Sequence, residues 1–323
     1  ASAADETLPD AAPTGLVPLV APISIAVGDA LAAALDPARA AARGAKGAPP
    51  GEPRPSLDDA IGALRDRVFL GLGLSLPNAR VHLDRGRSPW RYTIAIQEVP
   101  AEHGEVATGA TTEEATADVI AACERAVRAR AGDLLGLQET QNMLDRLERA
   151  YPALVRHVIP KPVGLALLTD VLRRLVEEGV SVRPLREILE ALATYAPNER
   201  DPVTLTELVR GSLRRHISHL HAPDGTLRAH MLDPAIEDVV REAIQHTATG
   251  SYLALAPDLA EEVLAHARRV ATGTGGRFVL LAQPDVRRFV RRLLEVEVPG
   301  AVVLSYPELD PAVRVETLGR LSL

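Results

Sequence analysis

The sequence predicts an α+β multidomain chain: a small α/β N-terminal subdomain, an all-helical middle subdomain and an α/β sandwich as C-terminal subdomain. Three observations predict it. Tyr92, Ile94 and Ile96 alternate with Thr93, Ala95 and Gln97, the period of a half-buried strand. From Thr112 to about His216 the apolar residues recur at helical spacing almost without relief. After that, short β-branched runs such as "RFVLLA" and "GAVVLS" return between amphipathic helical stretches, the order expected of helices packed on one sheet.

Taken in order, residues 1–14 are acidic and Ala/Pro-rich, without periodicity, and read as a linker. "ISIAV" follows as a strand and "DALAAAL" as a short helix. Gly and Pro crowd the stretch Ala42 to Pro55, which can hold no regular element. Ser56, with Asp59 three residues on, makes a capping-box-like start for "LDDAIGALRDRVFLGL", whose Ile61, Leu64 and Val68 share a face. "ARVHLD" and "RYTIAIQEV" read as strands joined by "RGRSPW".

Helices are expected at about 112–131, 138–150, 163–178, 184–195 and 202–215, the last opened by Asp201 as N-cap and Pro202 at the first helical position. In the last third, "HISHLHA" and "TLRAHML" read as strands around "PDG". A helix opened by Asp233 and Pro234 follows, then "PDLAEEVLAHARRVAT", "RFVLLA", "PDVRRFVRRLLEV", "GAVVLS" and "RVETLGRL", in the order β-β-α-α-β-α-β-β. The expected boundaries are a first subdomain over 15–131, a helical one over 132–215 and an α/β one over 216–323.

Composition narrows the function. At 323 residues and 46% hydrophobic the chain can bury two to four compact units. Its formal charge of -7, with Lys46 and Lys161 the only lysines, argues against a nucleic-acid binder. Nine aromatics leave little for base stacking. The lone cysteine, Cys123, excludes an intramolecular disulfide and a cysteine-based zinc site, and suits a reducing cytoplasm. The apolar stretch Gly15 to Val27 is broken by Pro18 and Pro22 and falls short of the roughly 20 residues that span a bilayer. A chain opening on Ala1 has lost its initiator or is a piece of something longer.

"RRHISHLHAPDG" carries three histidines in six residues. In a two-residue turn at Asp224-Gly225, His219 faces His230 and His221 shares their side of the hairpin, with Ser218 and Leu220 turned to the core. Three imidazoles could ligate a metal, but a fourth ligand is lacking and Asp224 and Asp233 have turn and cap positions to fill, so a polar hairpin face is the preferred reading. "TGTGG" precedes a strand and lacks the Lys-Ser/Thr of a phosphate loop. Cys123, beside Val119, Ile120 and Val127, reads as a small buried residue. Glu113, Glu114 and Asp118 open a helix and favour its dipole. "DVLRRLVEEGVSVRPLREILEALA" has a helix-turn-helix look with Gly179 at the turn, but Glu187 and Glu190 beside Arg183 and Arg186 would repel phosphates. The helix "RRFVRRLLE" places Arg287, Arg288, Arg291 and Arg292 around an apolar face, for a solvated surface or a partner subunit. No cofactor, metal or catalytic constellation is assembled.

Longer stretches carry a resemblance. "GLQETQNMLDRLERAYPALVRHVIP", "VLRRLVEEGVSVRPLREILEALATYAP", "DPVTLTELVRGSLRRHI", "LDPAIEDVVREAI" and "LLAQPDVRRFVRRLLEVEVPGAVVLSYPEL" together resemble, in order and spacing, the cytoplasmic domain of the type III secretion export gate. This is the SctV/FlhA or FHIPEP family of injectisomes and flagella. The similarity covers about Gly132 to Leu323, with a weaker match at "LGLSLPNARVHLD" and "YTIAIQEVPAEHGEV".

The resemblance implies a non-enzymatic domain of four subdomains on the cytoplasmic face of the bacterial inner membrane, hung from a membrane bundle encoded upstream. It implies a homo-oligomeric, nonameric ring that receives substrates, effectors, chaperones and the gatekeeper, works with stalk and ATPase proteins, and binds no nucleic acid. Gln138, Glu139, Gln141, Leu144 and Asp145 match the family's helix at the start of the third subdomain, and "SYPEL", with Tyr306, its closing motif. Arg288 and Arg291 are the candidate interface cations. Where the family inserts its second subdomain only "ATGAT" stands, so that subdomain is expected to be much reduced. The alternative is a soluble relative acting as a non-ring adaptor, with a helix-turn-helix DNA-binding protein behind it.

Overall fold

The computed structural model describes residues 20–36, 57–247 and 250–322. The expected linker over 1–14, the break over 42–55 and the Ser56 cap lie outside the described residues. The chain forms two compact units, divided between Glu139 and Thr140.

In the first unit, β1 (Ile23–Val27), β2 (Arg80–Leu83), β3 (Arg91–Ile96) and β4 (Val99–Glu105) make a sheet ordered β2-β1-β3-β4. The pair β1/β2 is parallel and the other two are antiparallel. Helices α1 (Asp29–Leu35), α2 (Leu57–Leu72) and α3 (Thr112–Ala129) pack with it. Ile25, Leu31, Val68, Ile94, Val119 and Cys123 are fully buried, which removes the apolar faces of strand and helix from water together. The acidic start of α3 is more than a dipole effect. Thr111 Oγ1 accepts from Glu114 N at 3.3 Å while Glu114 Oε2 accepts from Thr111 N at 2.8 Å, a reciprocal capping box.

One strand expected from the sequence is two. "RYTIAIQEV" turns back at Gln97 and Glu98, whose φ angles of 49° and 64° form a tight hairpin without glycine or asparagine. Neighbours hold this turn. Gln97 donates its side-chain amide to the Asp133 carbonyl, and Glu98 Oε1 accepts from Ala21 N at 3.1 Å. Across the ladder Tyr92 faces Gly104, where a Cβ would stand 2.4 Å from the tyrosine hydroxyl, so a side chain there would displace the ring.

The second unit opens with helices α4 (Leu137–Ala150), α5 (Pro152–Val158), α6 (Leu165–Glu177), α7 (Leu185–Tyr195) and α8 (Pro202–Ser212), α4 beginning just before the division. Asp201 caps α8 by accepting from Val203 N and Thr204 N. Gly179 ends the turn after α6 at φ +74°, with Val180 N bonded to Leu175 O at 2.8 Å. Next comes α9 (Arg214–His221), where a strand was expected.

The correction has a physical cause. "HISHLH" satisfies a period of two, but Ile217 and His221 also fall four residues apart, and Ile217 with Ser218 is buried on one helical face. Ser218 Oγ accepts from Asp310 N at 2.8 Å, while Leu220 is 55% exposed rather than turned to the core. The "PDG" stretch ends this helix, with Asp224 Oδ1 accepting from Thr226 N and Gly225 at φ +79°. No hairpin forms there, and His219 does not face His230.

The rest is a parallel sheet covered by helices. Strands β5 (Thr226–Leu232), β8 (Phe278–Ala282), β9 (Ala301–Ser305) and β10 (Arg314–Leu321) take the order β10-β5-β8-β9, every pair parallel. The connections carry α10 (Pro234–Glu242), α11 (Pro257–Gly273) and α12 (Pro284–Leu294). A short hairpin of β6 (Ile244–Thr247) and β7 (Gly250–Leu253), not expected from the sequence, lies between α10 and α11. Leu232, Ile236, Val263, Leu280, Val290 and Val303 belong to the core between the parallel sheet and its helices. "TGTGG" is a helix-to-strand connection, with Gly275 and Gly276 at positive φ.

Candidate functional site

The buried charges of the second unit converge on one place. Arg287, from α12, has a fully buried side chain. Its Nε donates to Glu207 Oε2 at 2.7 Å and its Nη2 to Glu207 Oε1, while Nη1 and Nη2 reach Glu178. Arg210, one helical turn beyond Glu207 on α8, donates through Nη2 to Glu308, and its Nη1 lies 3.1 Å from Glu178 Oε2. Glu308 Oε1 in turn accepts from Ser305 N and Ser305 Oγ. Two guanidiniums and three carboxylates thus tie α6, α8, α12 and the segment after β9 together.

Electrostatics show how strongly they are coupled. Burial alone would raise the Glu178 carboxyl, but Arg210 and Arg287 outweigh it and hold the group down at about 2. Burial works against the Arg287 charge, yet Glu178 and Glu207 keep it firmly protonated. Nearby, burial and the Arg210 charge push His221 below its ordinary value. Joined by ion pairs from four separate elements, the two guanidiniums and three carboxylates make a structural brace.

A cleft of about 560 Å³ opens beside the brace. Glu207, Ser305 and Glu308 line it from the brace side. Tyr195, Leu208, Pro284 and Pro307 supply apolar surface, and Gly211, Ser212 and Arg214 complete it. Arg287 was expected on a solvated or partner-facing side of its helix, and the structure corrects this. A cation can sit on the buried side because three carboxylates from distant elements meet it there.

The other sequence-derived candidates are dispersed. On α4, Gln138, Glu139, Gln141 and Asp145 are exposed and Leu144 is buried. Glu139 Oε2 accepts from Gly136 N at 2.8 Å, closing the start of the helix, and Gln141 donates to Asp145 Oδ1 at 2.7 Å. Arg288 lies over the Phe289 ring, 4.6 Å from its centroid, whereas Arg291 donates to the Ala301 carbonyl at 3.0 Å. Tyr306 is 43% exposed, directly between the cleft residues Ser305 and Pro307.

His216 contacts Glu187 at 3.0 Å, and His230 stands edge-on to Phe278. Among the described residues no three His, Cys, Asp or Glu side chains are grouped to hold a metal ion. In the second helix of the helix-turn-helix-like pair, Arg186 donates to Glu190 at 2.9 Å, so its charge is met on its own helix. Sequence reasoning missed Arg210, Glu178 and Glu207. The one signal was an arginine placed among apolar neighbours in "ELVRGSL".

Known proteins share this architecture. The FHIPEP family matches residues 107–314. Protein hrpC2 of Xanthomonas euvesicatoria is 35% identical over 306 residues, 93% of this chain and 44% of its own length. The chain therefore spans less than half the length of these curated relatives, the low calcium response locus protein D of Yersinia pestis, at 31% identity, giving 45%. The solved structure of the Chlamydia pneumoniae CdsV protein superposes with a TM-score of 0.82 at 28% identity, covering 95% of this chain and 99% of that one. The nonameric EscV cytosolic domain, at 24% identity and a TM-score of 0.75 over 96% of this chain and 99% of that one, shares the fold.

Proposed function

The chain belongs to the FHIPEP family, and from that premise we propose that it is the cytoplasmic platform of a type III secretion export gate. The observation that supports this most is the fold shared with CdsV along 95% of the chain, at 28% identity. In this reading the chain assembles into a ring, as the nonameric EscV domain does, and hands cargo to a membrane channel contributed by another part of a longer protein. Its partners in this reading are effectors, their chaperones, a gatekeeper and stalk or ATPase proteins; that CdsV is solved in complex with a second protein, CdsO, supports partner binding by this fold.

Binding rather than catalysis is the work of such a platform, and a braced second unit is suited to it. The expected subdomains over 15–131, 132–215 and 216–323 become the ring's building blocks, the short 107–111 connection replacing most of a second one. Mass measurement of the purified chain tests the assembly. Particles near nine times the 34.4 kDa chain mass support the ring, and a single-chain mass at all concentrations, with or without the membrane part, overturns it.

A further inference from the structure

We propose that the cleft beside the Arg287 brace is a docking site for a partner polypeptide in which an acidic residue flanks a bulky apolar one. The inference deepens the platform reading and rests on it for the polypeptide nature of the occupant. What the occupant must look like follows from the charges that line the cleft and how each is met.

Glu207 spends both oxygens on Arg287, one on Nε and one on Nη2. Glu308 has one oxygen on Ser305 and the other on Arg210. The carboxylates of the cleft are therefore neutralised from behind and offer a ligand little net charge. Arg214 is different. It is exposed at the start of α9, lines the cleft, and among the described residues has no carboxylate partner; neither does its exposed neighbour Arg215. The uncompensated charge at this opening is positive, on a chain whose formal charge is -7. A carboxylate of the occupant matches it.

Shape sets the rest. Tyr195, Leu208, Pro284 and Pro307 present apolar surface that an aromatic or branched aliphatic side chain can cover, and about 560 Å³ is room for one such anchor with its flanking backbone. Proline walls and a braced back hold the opening in shape before anything binds, which lowers the ordering cost of docking. Gly211 leaves the cleft wall open, because a Cβ there would meet nothing within 4 Å.

The test is fluorescence anisotropy on the full chain with three labelled peptides: Glu-Glu-Leu-Phe-Glu, Lys-Lys-Leu-Phe-Lys and Glu-Glu-Ser-Ser-Glu. The first should bind, more weakly as salt rises, and the other two should bind at least about tenfold less well. Arg214→Glu should weaken the first probe by a similar factor without lowering the melting temperature, since the side chain is exposed. Gly211→Leu should do the same by filling the wall. Equal or tighter binding of the basic probe, no binding of any probe, or binding indifferent to both substitutions would each overturn the site. Particle mass is read in parallel, so a ring that ignores the peptides sinks only the cleft, and a single chain that binds them sinks only the ring.

Discussion

Arg287 grips Glu207 with two parallel hydrogen bonds, Nε to Oε2 and Nη2 to Oε1, across 80 residues of sequence. A fork-on-carboxylate pair of this kind fixes direction as well as distance, and here it locks α12 against α8. Removing the cation leaves Glu178 and Glu207 without their main partner in a largely dry place. We expect Arg287→Met to lower unfolding free energy by about 3–5 kcal/mol, read by urea titration. Arg287→Lys should recover only part of it, because an ammonium cannot make the same fork.

Acid should find the same brace. The Glu178 carboxyl is depressed in the folded chain, so its contribution is fully present above its ordinary range near 4.5 and is lost as pH falls toward about 2. Thermal stability of the wild-type chain should therefore fall steeply across that window. In Glu178→Gln the melting temperature should be lower at neutral pH and change less between those two limits. A full-sized acid transition in the variant would remove Glu178 as its source.

Cys123 offers a probe of the first unit. Burial first, then the charges of Glu102 and Glu124, pushes its thiol up to about 11, so little thiolate exists at pH 8 and access is closed. Iodoacetamide should leave the folded chain unmodified and alkylate it once denaturant opens the core. Prompt labelling of the native chain would mean that α3 does not stay docked.

Gly28 has no room for a side chain. A Cβ there would lie 2.3 Å from the Ser88 carbonyl and 2.6 Å from that of Pro89, both backbone atoms. Gly28→Ala should destabilise the chain by about 1–3 kcal/mol through overpacking, measurable as a shifted denaturant midpoint. An unchanged midpoint would show that the loop gives way at little cost.

Arg288 and Arg291 separate under mutation. Arg291 donates to the Ala301 carbonyl inside its own unit, so Arg291→Glu should cost stability. Arg288 lies half-buried over Phe289, and its charge also helps to lower the Asp201 carboxyl at the start of α8. If that helix meets a neighbouring copy, Arg288→Glu should shift the particle mass toward single chains by more than its loss of the Phe289 and Asp201 contacts lowers the melting temperature; retention of the full assembly would exclude that helix from the interface.

Much of this molecule was set by the sequence itself. The period of two at Tyr92–Ile96, the long helical period after Thr112 and the Asp201-Pro202 start are local signals, and local signals survive without knowledge of the fold. Family membership was legible for the same reason, carried by contiguous stretches such as "SYPEL".

Tertiary structure decided the rest. "HISHLH" fits either period, and the burial of Ile217 and Ser218 together with the Ser218 bond to Asp310 made it a helix. Gln97 and Glu98 became a turn through partners at Asp133 and Ala21. The brace was invisible because Glu178, Glu207, Arg210, Arg287 and Glu308 are spread over 130 residues and mean nothing until folding brings them together, where each buried charge is tolerable only in the company of the others.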